Sequence, residues 1–216
     1  MAAEAHPPTR TDLRDGSSIE LREVRPDDKE AIAMGFARLS PESRYRRFFS
    51  SLDRLSATDL AYLTEVDHHD HEAVIAFDDG GETVGVARYV RGEEPDTAEV
   101  AVVVVDDWQG KGAGTALLER LTERASENGI ERFVALVLQE NAEAIELFRS
   151  IDAETTGPRR TPDGYLELIL EVPPGPVPGT ALGRALQTAA AGRVVIHPWR
   201  LIKERLQAMQ QNRPDR

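Results

Sequence analysis

The pattern of apolar and polar positions predicts a β-sheet in the middle of the chain. Residues 19–25 alternate apolar and polar side chains, and residues 71–77 and 84–90 are apolar runs separated by Asp-Asp-Gly-Gly. Turn residues of this kind between two strand-forming runs favour a β-hairpin. A third run, residues 99–105, ends in Ala-Val-Val-Val-Val. An unbroken run of this type is typical of a strand buried on both faces.

Helical patterns precede and follow these strands. Pro26 suits the first turn of a helix in which Ile32, Phe36 and Leu39 share one stripe. Ser56 and Asp59 have the spacing of a helix cap. We predict further helices over residues 41–49, after residue 112 and over residues 141–148, and further strands over residues 133–138 and 165–172. A hairpin followed by strands that alternate with helices indicates an α/β (α+β) fold with a mixed central sheet.

The sequence divides into four segments. Residues 1–17 are polar and are expected to be disordered, and residues 18–172 carry the folded domain. Residues 173–179 form a proline-rich, stiff linker. Residues 180–216 form a helical appendage whose apolar residues recur at spacings of three and four beside basic ones. We expect this tail to dock on its own domain or on a second copy, giving a homodimer through the C-terminal helices, with a membrane surface as the alternative.

Charge and composition restrict the partners. The net charge is −12, but the segment from residue 173 onward has seven basic and two acidic residues, so the first 172 residues carry −17. An acidic surface repels nucleic acid and favours cationic partners. The absence of cysteine excludes disulfides, a thiolate zinc site and a cysteine nucleophile. No signal peptide or membrane span is recognisable, so a cytoplasmic location without a membrane partner is expected.

A glycine-rich turn follows the third strand run. Gln109-Gly-Lys-Gly-Ala-Gly114 leads directly into a helix that contains Leu117, Leu118 and Leu121. Glycines let backbone N–H groups approach a ligand closely, and the helix dipole favours an anion at this end. The turn therefore predicts a phosphate-binding loop, with an ordinary strand-to-helix turn as the alternative. Its spacing matches neither a nucleotide P-loop nor the dinucleotide-binding fingerprint.

Gln109, Gly112 and Gly114 resemble the Gln/Arg-x-x-Gly-x-Gly/Ala signature of the GNAT superfamily of acyl-CoA-dependent N-acyltransferases. The order of the predicted elements over residues 19–172 is similar to that of the same superfamily. The resemblance implies that acetyl-CoA is the acyl donor and that no metal is needed. It also implies that pantetheine and pyrophosphate are bound by the backbone at Val103, Val105, Gly110, Lys111, Gly112, Ala113, Gly114 and Thr115, in addition to Gln109.

The strand before the loop resembles that of the lysine acetyltransferase branches of the superfamily, in which a glutamate activates the lysine, often through water. This resemblance implies that Glu99 is the general base and that the amide of Val103 faces the acetyl carbonyl. A base is needed because a lysine amine, with a pKa near ~10.4, is almost fully protonated at neutral pH. The alternative for Glu99 is a solvated position at the edge of the strand.

A second family motif, Asn-x-x-Ala-x-x-Leu-Tyr, is similar to Asn141-Ala-Glu-Ala-Ile-Glu-Leu-Phe148. The resemblance implies that Asn141 hydrogen-bonds the pantetheine arm, against the alternative of a plain helix cap. Phe148 replaces the tyrosine that protonates the leaving thiolate in many members. Tyr165 is a candidate substitute, and release of the thiolate without an enzyme acid is also compatible with its low basicity.

Residues 39–49 and 67–71 resemble the Pat-type bacterial protein lysine acetyltransferases, in which the first region borders the acceptor site. The resemblance implies a protein lysine as acceptor, with acyl-CoA synthetases among the targets. Arg44, Arg46 and Arg47 are candidates for contacts with CoA phosphates or for an exposed helix face. A metal site at His68, His69 and His71 is disfavoured because an extended segment places only His69 and His71 on one face.

These observations predict an acetyl-CoA-dependent N-acetyltransferase that acts on a protein lysine by direct attack, with Glu99 as the base. One alternative is an acetyltransferase for small-molecule amines or polyamines, which the acidic surface also permits. A second alternative is an acyl-CoA-binding regulatory module without turnover, which Phe148 favours and Glu99 disfavours.

Overall fold

The computed structural model describes residues 6–41, 43–44, 53–138, 159–160 and 165–172. The strands are β1 (Thr9–Asp12), β2 (Ser18–Glu23), β3 (His71–Phe77), β4 (Thr83–Arg91), β5 (Thr97–Val104), β6 (Arg132–Leu138), β7 (Arg159–Arg160) and β8 (Tyr165–Glu171). The helices are α1 (Lys29–Ala37), α2 (Ala57–Thr64) and α3 (Ala113–Glu127), with 3-10 turns at Pro26–Asp28 and Asp106–Trp108.

The eight strands form one mixed sheet in the order β1-β2-β3-β4-β5-β6-β8-β7. Neighbouring strands are antiparallel except for the β5–β6 pair, which is parallel. The helix α3 connects these two parallel strands, as a parallel pair requires a long crossover. The sequence-based prediction of an α/β fold with a mixed central sheet is therefore confirmed.

The expectation of disorder over residues 1–17 is wrong for residues 6–17. Strand β1 pairs with β2 in the antiparallel register Thr11↔Ile19, and Leu13 is buried. The sequence Thr-Arg-Thr-Asp has no apolar residue, so β1 could not be detected from hydrophobic periodicity. Its backbone is held by β2 at the edge of the sheet, where polar side chains are tolerated.

Local sequence signals formed the expected turns and caps. The β3–β4 hairpin turns at Gly81, which has φ of 77° and whose N–H donates to Asp78 O over 3.0 Å. Helix α2 begins with the predicted cap, because Asp59 N–H donates to Ser56 Oγ and Ser56 N–H donates to Asp59 Oδ2. These features depend on residues close in sequence, which explains why they could be predicted.

The central strand β5 separates two apolar layers. Ala98, Val100, Val102 and Val104 face α3 and belong to the largest buried cluster, which also contains Leu117, Leu118 and Leu121. Val103 faces the other way and packs with residues of α1 and α2. Because side chains alternate along a strand, Glu99 lies on the same face as Val103. We call the two sides of the sheet the α3 face and the α1/α2 face.

Several predicted elements lie outside the described residues. These are the helix over 141–148 with Asn141 and Phe148, most of the 41–49 helix with Arg46 and Arg47, the linker over 173–179 and the tail over 180–216. Within the part of the chain that the structure describes, no helix has the length and apolar character that crossing a membrane would need.

Candidate active site

Strands β5 and β6 separate part of the way along their length. They pair only at Thr97↔Arg132, Ala98↔Phe133 and Glu99↔Val134, although β5 continues to Val104 and β6 to Leu138. Beyond Glu99, the side of β5 that faces β6 has no ladder partner among the described residues. A strand edge of this kind presents N–H and C=O groups to a ligand, as in β-strand addition.

The register of β4 and β5 decides which groups face this gap. Val105 N–H donates to Val84 O, and Gly92 N–H donates to Thr97 O, both over 2.9 Å. In an antiparallel pair, hydrogen-bonded positions alternate, so the odd-numbered residues of β5 direct their amides to β4. Val102 and Val104 therefore direct their N–H and C=O groups into the gap.

Two residues expected from the sequence to bind the donor through their amides direct those amides to β4 in the structure, and their role in binding stays a prediction. The Val105 amide is occupied by Val84 O, and the Val103 backbone faces β4. A Cβ atom at Gly85 on β4 would lie 2.5 Å from Val103 O, which independently shows the direction of that carbonyl. The backbone groups of Val102 and Val104, each one residue away, face the gap instead, because backbone direction reverses at every residue.

The glycine loop has the geometry expected of an anion-binding turn. Gly110 and Gly112 have φ angles of 77° and 106°, which favour glycine, and Gly112 is the N-cap of α3. Ala116 N–H donates to Gly112 O. The N–H groups of the first turn of a helix have no acceptor within it, so those of Ala113, Gly114 and Thr115 point out of the helix end.

The N-terminal segment fixes the orientation of this loop. Arg14 N–H donates to Lys111 O over 3.2 Å, and Lys111 Nζ lies 3.5 Å from Asp15 Oδ2. Lys111 Nζ also lies 4.7 Å from the centre of the Trp108 ring. In a trans peptide the C=O and the next N–H point in opposite directions. The Gly112 N–H is therefore held pointing away from Arg14.

Gln109, the first residue of the glycine motif, connects the loop to the strand. Its Nε2 donates to Val104 O over 3.1 Å. The acceptor is one of the groups that face the gap between β5 and β6. The structure thus gives Gln109 a contact with the donor-side backbone that the sequence motif alone does not reveal.

A mostly apolar cleft lies on the α1/α2 face beside Val103. It encloses about 480 Å³, including space open to solvent, and its walls include Phe36, Leu39 and Leu55. Together with the gap in the sheet, the cleft gives the β5 strand one side suited to an extended donor and a neighbouring apolar space.

Arg88 lines the same cleft and was not singled out from the sequence. The residue is 2% exposed; its Nη1 lies 3.1 Å from His71 Nε2, and its Nη2 donates to Leu63 O over 3.2 Å. Burial lowers the pKa of Arg88 to about 10, so the side chain remains cationic at neutral pH. The available signal was a single charged residue within the apolar run over residues 84–90.

Glu99 is half-buried on the α1/α2 face, opposite Val90 of β4 and Val134 of β6. It is the last residue of β5 that pairs with β6, so it stands where the gap begins. Glu99 lies on the same strand as Val102 and Val104 and precedes them by three and by five residues, respectively.

The histidines at residues 68–71 have separate partners. His68 Nδ1 lies 2.8 Å from Glu72 Oε1, and His69 Nδ1 lies 2.8 Å from Asp70 Oδ1. His71 is buried against Arg88 and lies 4.9 Å from the Tyr62 ring. Within the described ranges, no three potential metal ligands are grouped. Arg44, a candidate for CoA phosphates, donates to Ala37 O and lies over the Phe36 ring.

Comparison with known proteins identifies the family. The model of the acetyltransferase (GNAT) family matches residues 38–152, which is just over half of the chain. The acetyltransferase Pat of Mycolicibacterium smegmatis is 38% identical over 136 residues, covering 62% of this chain and 40% of that protein. The acetyltransferase PA5475 of Pseudomonas aeruginosa is 32% identical over 127 residues, covering 57% of this chain and 68% of that protein.

Among solved structures, the GNAT domain of PAT from S. lividans has the same fold with a TM-score of 0.67 and 36% sequence identity. The match covers 77% of this chain and 99% of that domain. The chain thus spans nearly the whole of a separate GNAT domain but less than half of the Mycolicibacterium protein.

Proposed function

This chain belongs to the acetyltransferase (GNAT) family, and we propose that it transfers the acetyl group of acetyl-CoA to a lysine amine of a protein substrate. The similarity to Pat proteins supports a protein acceptor. The charge of −17 on the first 172 residues supports a cationic one, since an acidic surface attracts basic side chains.

The separation of β5 from β6 is the observation that carries the proposal that this chain binds acetyl-CoA as the acyl donor. Acetyl-CoA supplies the acetyl group as a thioester. The N–H and C=O groups of Val102 and Val104 suit the amides of a pantetheine arm and the thioester carbonyl. The N–H groups at the start of α3, from Gly112 to Thr115, suit the pyrophosphate. A fixed N–H donor at the carbonyl stabilises the oxyanion that forms during attack.

We assign Glu99 as the general base of the same proposal. Its carboxylate would remove a proton from the lysine ammonium, directly or through a water molecule, and the neutral amine would then attack the thioester carbonyl. Attack gives a tetrahedral intermediate whose nitrogen loses its second proton to solvent. The intermediate then collapses to the amide as the C–S bond breaks, and the thiolate takes up a proton from solvent. Support comes from the location of Glu99 where the two strands separate.

Substitution of Glu99→Gln tests this assignment, because glutamine keeps the shape of the side chain and removes the base. Thiol release with a lysine-containing protein substrate should fall about 10²- to 10⁴-fold, while the Kd for acetyl-CoA changes little. The matched control is Glu93→Gln, which alters an exposed residue before the same strand and should retain full activity. Unchanged turnover of the Glu99 variant would remove Glu99 from the mechanism.

A small-molecule amine is the second candidate acceptor, and the cleft beside Val103 is the observation in its favour. Thiol release should be compared with a lysine-bearing protein, a panel of polyamines and amino acids, and no acceptor. Release with protein alone supports the primary proposal, and release with a small amine supports the second. Binding of acetyl-CoA without release in any of these assays would instead favour a regulatory module.

A further inference from the structure

The loop after β5 is tied to the end of α1 by a carboxylate that the sequence did not single out. Asp106 Oδ2 accepts a hydrogen bond from Ser40 N–H over 2.9 Å, and Asp106 Oδ1 accepts from both the Ser40 and Ser43 hydroxyls, each over 2.9 Å. These partners lie more than sixty positions away in the chain. A single side chain thus holds two surface segments together.

The turn that Asp106 holds consists of Ser40, Pro41, Ser43 and Arg44, and we call it the 40–44 turn. Ser43 N–H donates to Ser40 Oγ and Arg44 N–H donates to Ser40 O, so Ser40 begins a helical turn at this point. Gln109 Nε2 lies 3.5 Å from Ser43 Oγ while it donates to Val104 O. The 40–44 turn is therefore connected both to Asp106 and, through Gln109, to the donor-side backbone.

The position of this turn determines one wall of the cleft. Leu39 directly precedes Ser40, and Leu39 and Phe36 pack against Val105, the residue before Asp106. Phe36, Leu39 and Val105 all line the cleft. Movement of the 40–44 turn away from the loop would displace Leu39 and widen the cleft beside Val103.

The electrostatic state of Asp106 agrees with this contact. Partial loss of hydration acts to raise the pKa of Asp106, but the hydrogen bonds from Ser40 and Ser43 outweigh it and lower the pKa below its ordinary value. The carboxylate is therefore ionised at neutral pH and can accept all three hydrogen bonds. Charge-assisted hydrogen bonds of this type are stronger than neutral ones.

We propose that Asp106 is a positioning residue that holds the 40–44 turn against the donor loop and thereby sets the shape of the acceptor cleft. This inference rests on the proposed transferase function and adds to it that the cleft beside Val103 receives the acceptor amine. Asp106 itself is exposed and outside the main buried clusters. Its contacts therefore serve the relative placement of two surface segments more than the stability of the core.

The test compares Asp106→Asn with Asp107→Asn, which removes the same charge from the adjacent exposed residue. For Asp106→Asn we expect kcat/KM for the acceptor to fall about 10- to 100-fold, mainly through a higher KM for the acceptor, because a displaced wall misplaces the amine. The Kd for acetyl-CoA and the Tm should remain close to those of the wild type. Asp107→Asn should behave as the wild type in all three measurements.

A second variant distinguishes positioning from a general loss of charge. Ser40→Ala with Ser43→Ala removes the side-chain donors and leaves Asp106 in place, and its effect on acceptor KM should not add to that of Asp106→Asn. Full additivity, or an Asp106→Asn variant that matches Asp107→Asn in acceptor KM, would overturn the inference. A wild-type protein without acetyl transfer to any acceptor would instead contradict the proposed function.

Discussion

Two arginines are almost fully buried on opposite faces of the sheet, and their surroundings differ. Arg88 on the α1/α2 face contacts a ring nitrogen, His71 Nε2, and a backbone carbonyl, Leu63 O. Arg124 on α3 lies 3.1 Å from Glu72 Oε2 and 3.3 Å from Glu23 Oε1, and it also bonds Glu127. The exposed fractions are 2% for Arg88 and 4% for Arg124, so burial alone does not distinguish them.

The difference appears in their acid–base behaviour. Burial lowers the pKa of Arg88 to about 10. Burial also acts to lower the pKa of Arg124, but the neighbouring carboxylates, Glu72 first, outweigh it and raise the pKa above its ordinary value. The α3 face therefore contains a compensated ionic network that stabilises the fold. The α1/α2 face contains a buried cation that lines the cleft.

Removal of Arg124 should have the largest effect on stability. Arg124→Met leaves Glu72 and Glu23 buried without their shared cation, and breaking a buried ion pair in this way costs about 3–5 kcal/mol. The free energy of unfolding should be measured by urea denaturation. The control Arg120→Met alters the same helix at a pair with exposed Glu123 and should cost less than about 1 kcal/mol.

A second substitution tests whether the lost stability comes from uncompensated charge. Glu72→Gln introduced into Arg124→Met removes one of the stranded carboxylates and should recover part of the loss. A double variant that is less stable than Arg124→Met alone would contradict the interpretation of this cluster as a charge-compensated network.

Removal of Arg88 should have a smaller effect. Arg88→Met removes the contacts with His71 Nε2 and Leu63 O, but it also removes the desolvation cost of a buried cation, so we expect a loss of about 1–2 kcal/mol in the free energy of unfolding. Arg88→Lys keeps the charge with fewer donors in a fixed geometry and should be less stable than Arg88→Met. A loss equal to that of Arg124→Met would remove the distinction between the two faces.

The smallest effect concerns the pH dependence of the α3-face network. The hydrogen bond to Glu72 raises the pKa of His68 above its ordinary value of 6.5, and burial opposes this only in part. Folding therefore favours the protonated form of His68. The stability that the contact with Glu72 adds is fully present below pH 6.5 and is lost as the pH rises through the raised pKa of His68. His68→Gln should lower the Tm by about 2 °C in mildly acidic buffer and by less in alkaline buffer. A difference that grows with pH would contradict this assignment.

Local features were predictable from the sequence because the interacting residues are neighbours in the chain. The Ser56–Asp59 cap, the β3–β4 turn and the glycine loop at the start of α3 all formed as expected. The apolar run of β5 correctly indicated a central, buried strand. These signals also carried the resemblance to the GNAT superfamily, which the family match confirmed.

Features that depend on pairing between distant segments were not accessible in the same way. Val103 was expected to present its amide to the donor, whereas the register with β4 directs that amide to β4 and the amides of Val102 and Val104 into the gap. A one-residue change in register reverses every backbone group, and the residues of β5 alone do not fix it. Strand β1 was missed because its polar sequence is ordered by pairing with β2.

A mixed α/β domain with a glycine loop and a buried strand that carries Glu99 could be predicted from the amino-acid sequence, because these properties follow from periodicity, turn residues and charge along short stretches. The direction of the β5 amides toward the gap and the position of Arg88 at the cleft became visible only in the folded chain. The same holds for the contacts of Asp106 with Ser40 and Ser43. Strand register and packing set hydrogen-bond direction and contacts between distant residues, and no local pattern encodes them.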